Sequence, residues 1–176
     1  VYLGAQPIAD AFALDPHIVV TGRVTDSALA LGPLMQHFGW AADDWDKMAV
    51  GVLAGHLLEC GSQVTGGYHA DPGRKDVSGL ANVGFPIAEV EEDGAIVVTK
   101  PEGTGGVVNT RTVKEQILYE LDDPTHYLTP DATLDISDVE VEQIGPDRVS
   151  VTGAKGRTSP ETLKVTISAD GGWLGE

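Results

Sequence analysis

One stretch constrains the fold of this chain more than any other. Trp45, Met48, Ala49, Val52, Leu53, His56 and Cys60 recur at intervals of three and four residues, which places them on one face of an α-helix. Asp43 or Asp44 stands where an N-cap belongs, and Gly61 stands where a helix C′ residue belongs. Gly51 and Gly55 lie four apart on a neighbouring stripe that ends at Glu59. Each glycine inside a helix costs about 1 kcal/mol relative to alanine. Two together imply the close approach of another backbone or of a ligand.

The rest of the chain is read around this helix. Ile18-Val19-Val20 is a short β-branched run and predicts a buried strand of the kind found in a parallel sheet. Thr25 or Asp26 then caps a helix through Ser27–Leu31, Pro33 kinks or restarts it, and Gly39 ends it. Ile87–Val90 and Ala95–Thr99 read as a hairpin closed by Glu91-Glu92-Asp93-Gly94. Thr112 to Glu115 has capping-box spacing, so a helix is predicted over 112–121, ending before Asp123-Pro124. From Thr133 onward three or four antiparallel strands are expected. Gly145-Pro146-Asp147 and Ala169-Asp170-Gly171-Gly172 mark turns, and Ala154–Pro160 a longer loop.

The predicted fold class is therefore mixed α/β (α+β). Residues 1–85 form a βα-type portion with a buried strand and helices, expected to complete a larger N-terminal domain. Residues 86–176 form a β-rich portion, an antiparallel meander with one helix. The chain opens at Val1-Tyr2-Leu3-Gly4 and stops at Trp173-Leu174-Gly175-Glu176, inside what reads as a strand, so both ends are expected to continue into a longer protein.

Charge narrows the partners. Acids outnumber bases 27 to 11, for a formal charge of −16. Such a surface repels phosphate backbones, so no nucleic-acid partner is expected. An anionic ligand needs a local basic patch to override the field. A salty habitat or a need for solubility accounts for the same excess. No apolar run approaches the roughly 20 residues of a membrane helix, so no membrane partner is expected. There is no basic segment before an apolar one, and no signal peptide is seen. Cys60 is the only cysteine, which excludes an internal disulfide, fits a reducing, cytoplasmic compartment and rules out a multi-cysteine zinc site.

Four segments carry residues suited to chemistry. Thr21-Gly22-Arg23-Val24-Thr25-Asp26-Ser27 follows the predicted strand and opens a helix, where anions bind to free N–H groups. Arg23 suits a carboxylate or phosphate, and Asp26 a proton transfer; an Arg23–Asp26 ion pair with an ordinary cap is the alternative. His56–Tyr68 places Glu59, a general-base candidate at a helix end, beside His56 and Cys60. A Cys60 thiolate beside a His56 imidazolium would be a nucleophile, but both fall on the apolar face and read more readily as core. Gly66-Gly67-Tyr68 makes a loop fit to approach a ligand.

His69-Ala70-Asp71-Pro72-Gly73-Arg74-Lys75 is the third segment. His69 is an acid/base candidate. With Asp71 it falls short of the three or more ligands a metal usually takes, so no metal site is assigned, and a polar turn is the alternative. Arg74 and Lys75 form a rare basic patch suited to an anionic substrate arm. In the fourth, Lys100-Pro101-Glu102-Gly103-Thr104-Gly105-Gly106, Gly105 and Gly106 can wrap an anion with N–H groups while Lys100 supplies charge. It is neither a Walker motif nor a dinucleotide fingerprint; a flexible hairpin exit is the alternative.

Val20–Ser27, His56–Gly61, Gln63–Tyr68, Gly84–Glu89 and Thr99–Gly106 together resemble the acyclic terpene utilisation (AtuA-like) family. So do Lys114-Glu115-Gln116, Asp123-Pro124, Tyr127–Asp131 and Gly145–Val149. The resemblance spans essentially the whole chain, in one order. It implies a bacterial role in breaking down branched acyclic terpenoids, whose intermediates are carried as coenzyme A thioesters. It supplies no catalytic residues; a coenzyme A thioester is the possible substrate carrier, and the cofactor is left open.

The leading expectation is an enzyme acting on a branched acyl or acyl-CoA ligand, by hydration, dehydration or carbon–carbon cleavage. Arg23, Lys100, Thr21, Gly22, Ser27, Gly66, Gly67, Tyr68, Gly105 and Gly106 would bind, and Glu59, Asp26 or His69 would move a proton. The alternative is a non-catalytic subunit organising a carboxylase or lyase complex. Either way a homo-oligomer or complex subunit is expected.

Overall fold

The computed structural model describes residues 1–172; the strand reading at Trp173–Glu176 lies outside them. Among the described residues helices dominate the first half and strands the second, the mixed α+β class expected. Helix α1 spans Gln6–Phe12, α2 spans Ala28–Phe38 and α3 spans Trp45–Leu58. Strands β1 (Ile87–Val90) and β2 (Ile96–Thr99) follow, then α4 (Thr110–Leu118). The remaining strands are β3 (Tyr127–Leu128), β4 (Thr133–Asp135), β5 (Glu140–Gly145), β6 (Arg148–Thr152) and β7 (Lys155–Arg157).

Helix α3 is the axis of the molecule. Every residue from Met48 to Leu57 is buried, so the apolar stripe read from the sequence is one side of a helix covered on all sides. Its cover comes from α2, α4, β4, β7 and the β1–β2 hairpin. Gly51 and Gly55 admit α2. A Cβ on Gly55 would lie 2.5 Å from Ser27 Cα, and one on Gly51 would lie 2.3 Å from Leu31 Cδ1. The approaching backbone is therefore that of the chain itself. Gly39 ends α2 with φ 65°, as its position predicts, and Pro33 sits within that helix without ending it.

Two antiparallel sheets lie around the helices, one in the order β1-β2-β6-β5 and one in the order β3-β4-β7. The first departs from the expected meander because β6, not the next strand in sequence, pairs with β2. Ile96 stands opposite Val151 and Val98 opposite Val149, and all four are buried. Matched apolar faces, rather than sequence order, set the neighbour. A single hydrophobic core runs from Ala5 and Ile8 through α3 to Ala154, so both portions of the chain contribute to it.

Three local expectations are corrected. Ile18–Val20 is not a buried strand: it has no strand pairing, and Ile18 and Val20 are 81 % and 89 % exposed. Among the described residues, the pairing nearby is the isolated parallel bridge between Leu3 and Val24. A β-branched run becomes a strand only where a neighbouring strand and a packing surface receive it. The second correction concerns α4. It starts before Thr112, because Asn109 is the cap: its side chain accepts from Arg111 N and Thr112 N, and Thr112 Oγ1 accepts from Asn109 N. The third is the loop expected at Ala154–Pro160, which contains β7, paired with β4.

Candidate functional site

His69 lies where the loop after α3 meets α4. Its ring is buried, and its Nδ1 is 2.9 Å from Glu115 Oε2. The second Glu115 oxygen accepts from Lys75 Nζ at 3.1 Å. Burial works to raise the Glu115 pKa, but the His69 and Lys75 hydrogen bonds outweigh it and hold the carboxyl below its ordinary value. An ionised carboxylate only accepts, so Nδ1 carries the ring proton. Nε2 is then the basic nitrogen, and it takes no hydrogen bond among the described residues.

Local chemistry fixes each of these groups. Asp71-Pro72-Gly73-Arg74 closes a tight turn with Gly73 at φ 82°. The turn is held by Lys75 N donating to Asp71 O at 2.7 Å and Gly73 N donating to Asp76 Oδ1 at 2.8 Å. This is the polar turn read from the sequence, and it delivers Lys75 to Glu115. Asn109 fixes the start of α4, which sets Glu115 on the side facing His69.

Two cavities flank the His69–Lys75 wall. The larger, about 640 Å³, is lined by His69, Glu115, Tyr68, Tyr119, Leu118 and Glu120 among others. Tyr68 and Tyr119 meet edge to face there, with ring centroids 5.9 Å apart. The negative charge of Glu120 raises the Tyr119 pKa, so the phenol keeps its proton. The smaller cavity, about 370 Å³, is lined by His69, Arg74, Lys75, Asp76, Asn109 and Arg111 among others. The arrangement can pass a proton to or from a molecule in the larger cavity. Among the described residues no group of three or more His, Cys, Asp or Glu is placed to hold a metal ion.

Tyr68 and the His69 segment's own Asp71, Arg74 and Lys75 line these cavities with His69; the remaining predicted site residues do not. Arg23 pairs with Asp26 at 3.4 Å and lies over the Tyr2 ring at 4.3 Å. Thr21 and Gly22 are exposed, and Ser27 is buried against Gly55. Glu59 and Asp26 line a separate cavity of about 290 Å³ with Leu29, Ala30, Gly55 and Leu58. Lys100 is nearly buried, donating to Thr104 O at 2.9 Å and pairing with Asp147 at 3.2 Å.

The glycine loops hold one another. Gly105 N donates to Asn82 O, Gly106 N to Ser78 O, Gly66 N to Gln63 O and Gly67 N to Ser62 O. A Cβ on Gly105 would lie 1.9 Å from Gly79 O. These amides are spent within the protein, so the anion cradle expected at Gly105 and Gly106 is a backbone junction instead. Glycine is needed there because two main chains touch.

His56 and Cys60 fill structural places. His56 Nε2 lies 3.2 Å from Ile117 O, and Gln116 Nε2 donates to His56 O at 2.9 Å, tying α3 to α4. Glu59 Oε1 is 3.0 Å from His56 Nδ1 but off the line of a hydrogen bond, which leaves Nδ1 without a partner. Burial raises the Cys60 pKa, which keeps it a thiol rather than a thiolate nucleophile.

Sequence reasoning missed Glu115, Tyr119 and Arg111 as site residues. The spacing of Glu115 from Thr112 reads as a capping box, which Asn109 and Thr112 in fact make. A signal was present: Arg111, Glu115 and Tyr119 are spaced four apart, which aligns them on one helix face.

The family model described as acyclic terpene utilisation family protein AtuA matches residues 1–176, the whole chain. Neither the curated proteins nor the solved structures yield a match.

Proposed function

Because this chain belongs to the acyclic terpene utilisation family AtuA, and so to the use of acyclic terpenes, we propose that it acts as an enzyme on a branched acyl or acyl-CoA intermediate. The reaction is proton transfer in hydration or dehydration. One observation carries the reading: a buried histidine held through Nδ1 by an ionised carboxylate, on the wall of a cavity of about 640 Å³. A carboxylate in that position fixes the tautomer and stabilises the imidazolium that forms when Nε2 takes a proton.

In hydration, His69 Nε2 takes a proton from water as the water oxygen bonds to the β-carbon of an unsaturated acyl group. The Tyr119 phenol gives its proton to the α-carbon. The imidazolium proton then returns to the phenolate, directly or through water, and both groups are restored. Dehydration runs the same steps backwards. Lys75 holds Glu115 in place and takes no proton.

The test is turnover of a panel of branched enoyl-CoA thioesters, followed by loss of the conjugated thioester absorbance. His69→Gln should lower kcat by about 100-fold or more while leaving the fold intact by circular dichroism. Equal turnover by wild type and variant would remove His69 from the chemistry. No turnover with any thioester would defeat the enzyme reading.

A second reading, an organising subunit of a carboxylase or lyase complex, draws on one observation. Leu14, Ile18 and Val20 are large apolar residues exposed within one short stretch, the kind of surface that partners cover. Pull-downs in which Ile18→Ser/Val20→Ser loses a partner held by the wild type would favour it.

A further inference from the structure

The smaller cavity beside His69 gathers charge that the rest of the molecule neutralises. Of the five arginines, Arg23, Arg148 and Arg157 pair with carboxylates. Arg74 and Arg111 pair with none among the described residues, and both line this cavity of about 370 Å³. Lys75 lines it too, and Asp76 is the only carboxylate on its lining. Lys75 is matched by Glu115 behind it, so the two arginines are the unpaired charges on this lining, on a chain with a formal charge of −16.

This concentration is costly unless a ligand uses it. Two unpaired arginines on one concave surface repel one another and the Lys75 beside them, and free carboxylates abound elsewhere to pair them. The single carboxylate present is engaged, since Asp76 Oδ1 accepts from Gly73 N at 2.8 Å. Two of the first amides of α4 are also engaged, because Arg111 N and Thr112 N both donate to Asn109 Oδ1. Recognition at this site therefore rests chiefly on side chains. The guanidinium groups present planar forks that match the oxygens of a phosphate or carboxylate. Two unpaired forks on one surface can engage more oxygens than a carboxylate offers, which favours a phosphate.

We propose that this cavity binds a phosphate group, as free phosphate or as a phosphomonoester, held by Arg74 and Arg111 with Lys75 beside them. The site goes beyond the proton chemistry assigned to His69 and does not depend on it. His69 and Lys75 line both cavities, so a molecule whose phosphate lies here can extend past them toward the larger one.

The test is titration of the protein with inorganic phosphate, with a simple alkyl phosphomonoester and with acetate, read by backbone amide shifts and calorimetry. Both phosphates should bind saturably at about millimolar concentration or tighter, moving the amides of Arg74–Asp76 and Asn109–Arg111. Arg74→Gln/Arg111→Gln should weaken binding by about tenfold or more. Arg157→Gln, which removes an ion-paired arginine elsewhere, should change nothing. Both arginines are exposed, so the variants are expected to fold, and circular dichroism checks this.

A tighter hold on the phosphomonoester than on free phosphate would assign the site to an ester-carrying ligand, and the reverse to the free ion. Acetate binding as tightly as phosphate would overturn the phosphate assignment, and so would phosphate binding unchanged in the double variant. An absence of saturable binding would overturn the site itself. His69→Gln should keep phosphate binding, so loss of turnover and loss of the anion site are read separately.

Discussion

At Asp131 the fold buries a carboxylate with one oxygen bonded and the other alone. Oδ1 accepts from Ala5 N at 2.7 Å, which caps the start of α1 from a distant part of the chain. Oδ2 is buried without a partner. Burial raises the pKa above the ordinary 3.8, and the Ala5 hydrogen bond only partly opposes it. The native state therefore binds this proton more tightly than the unfolded chain does. The stabilisation that follows is complete below the ordinary value and is lost as pH rises through the raised one. Asp131→Asn keeps an acceptor for Ala5 N and removes the buried charge. In thermal melts it should be at least as stable as wild type at neutral pH, with a smaller change in Tm as pH rises above the ordinary 3.8. Asp131→Ala lacks the acceptor and should cost about 1 kcal/mol.

Among elements, α3 tests packing against propensity. Gly55→Ala gains about 1 kcal/mol of helix propensity. It also sets a Cβ 2.5 Å from Ser27 Cα and 2.6 Å from Ser27 O. Backbone cannot swing aside as a side-chain tip can, so α2 must move, at about 1–3 kcal/mol. Urea unfolding should show net destabilisation. Gly22→Ala, where a Cβ would meet nothing within 4 Å, should leave stability within about 0.5 kcal/mol. The same contrast explains what the sequence reveals. The periodicity of α3, its glycine pair, the stop at Gly39 and the β1–β2 hairpin are local patterns, and each appears as read. Ile18–Val20 has the local pattern of a strand and no partner to pair with. The β2–β6 pairing and the His69–Glu115 contact join residues 46 or more apart, and spacing along a chain does not encode such meetings. His69 was legible as a titratable group in a polar turn. Its carboxylate was hidden because a second, better capping pair lay three residues upstream.

For the molecule as a whole, charge sets the response to solvent. With a formal charge of −16, the folded state concentrates repulsion that the unfolded chain spreads out. Raising sodium chloride from about 10 mM to 150 mM shortens the screening length from about 30 Å to 8 Å. The midpoint of thermal unfolding should therefore rise over that range. The ion pairs most open to solvent, Lys155 with Asp46 and Arg23 with Asp26, weaken over the same range but are worth little individually. A midpoint that falls with salt would mean that those pairs outweigh the general repulsion.

The junction of glycine loops carries a further consequence. Gly105, Gly106 and Val107 give their N–H groups to Asn82, Ser78 and Thr65, and Gly84 returns one to Gly105, in a stretch with neither helix nor named strand. In deuterated solvent such amides are shielded as those of a sheet are. A map of exchange rates along the chain should therefore show a slow island at residues 105–107, where the secondary structure is blank. The neighbouring Lys100–Gly103 turn should exchange quickly. The two halves of one loop would then behave, on the timescale of hours, as different materials.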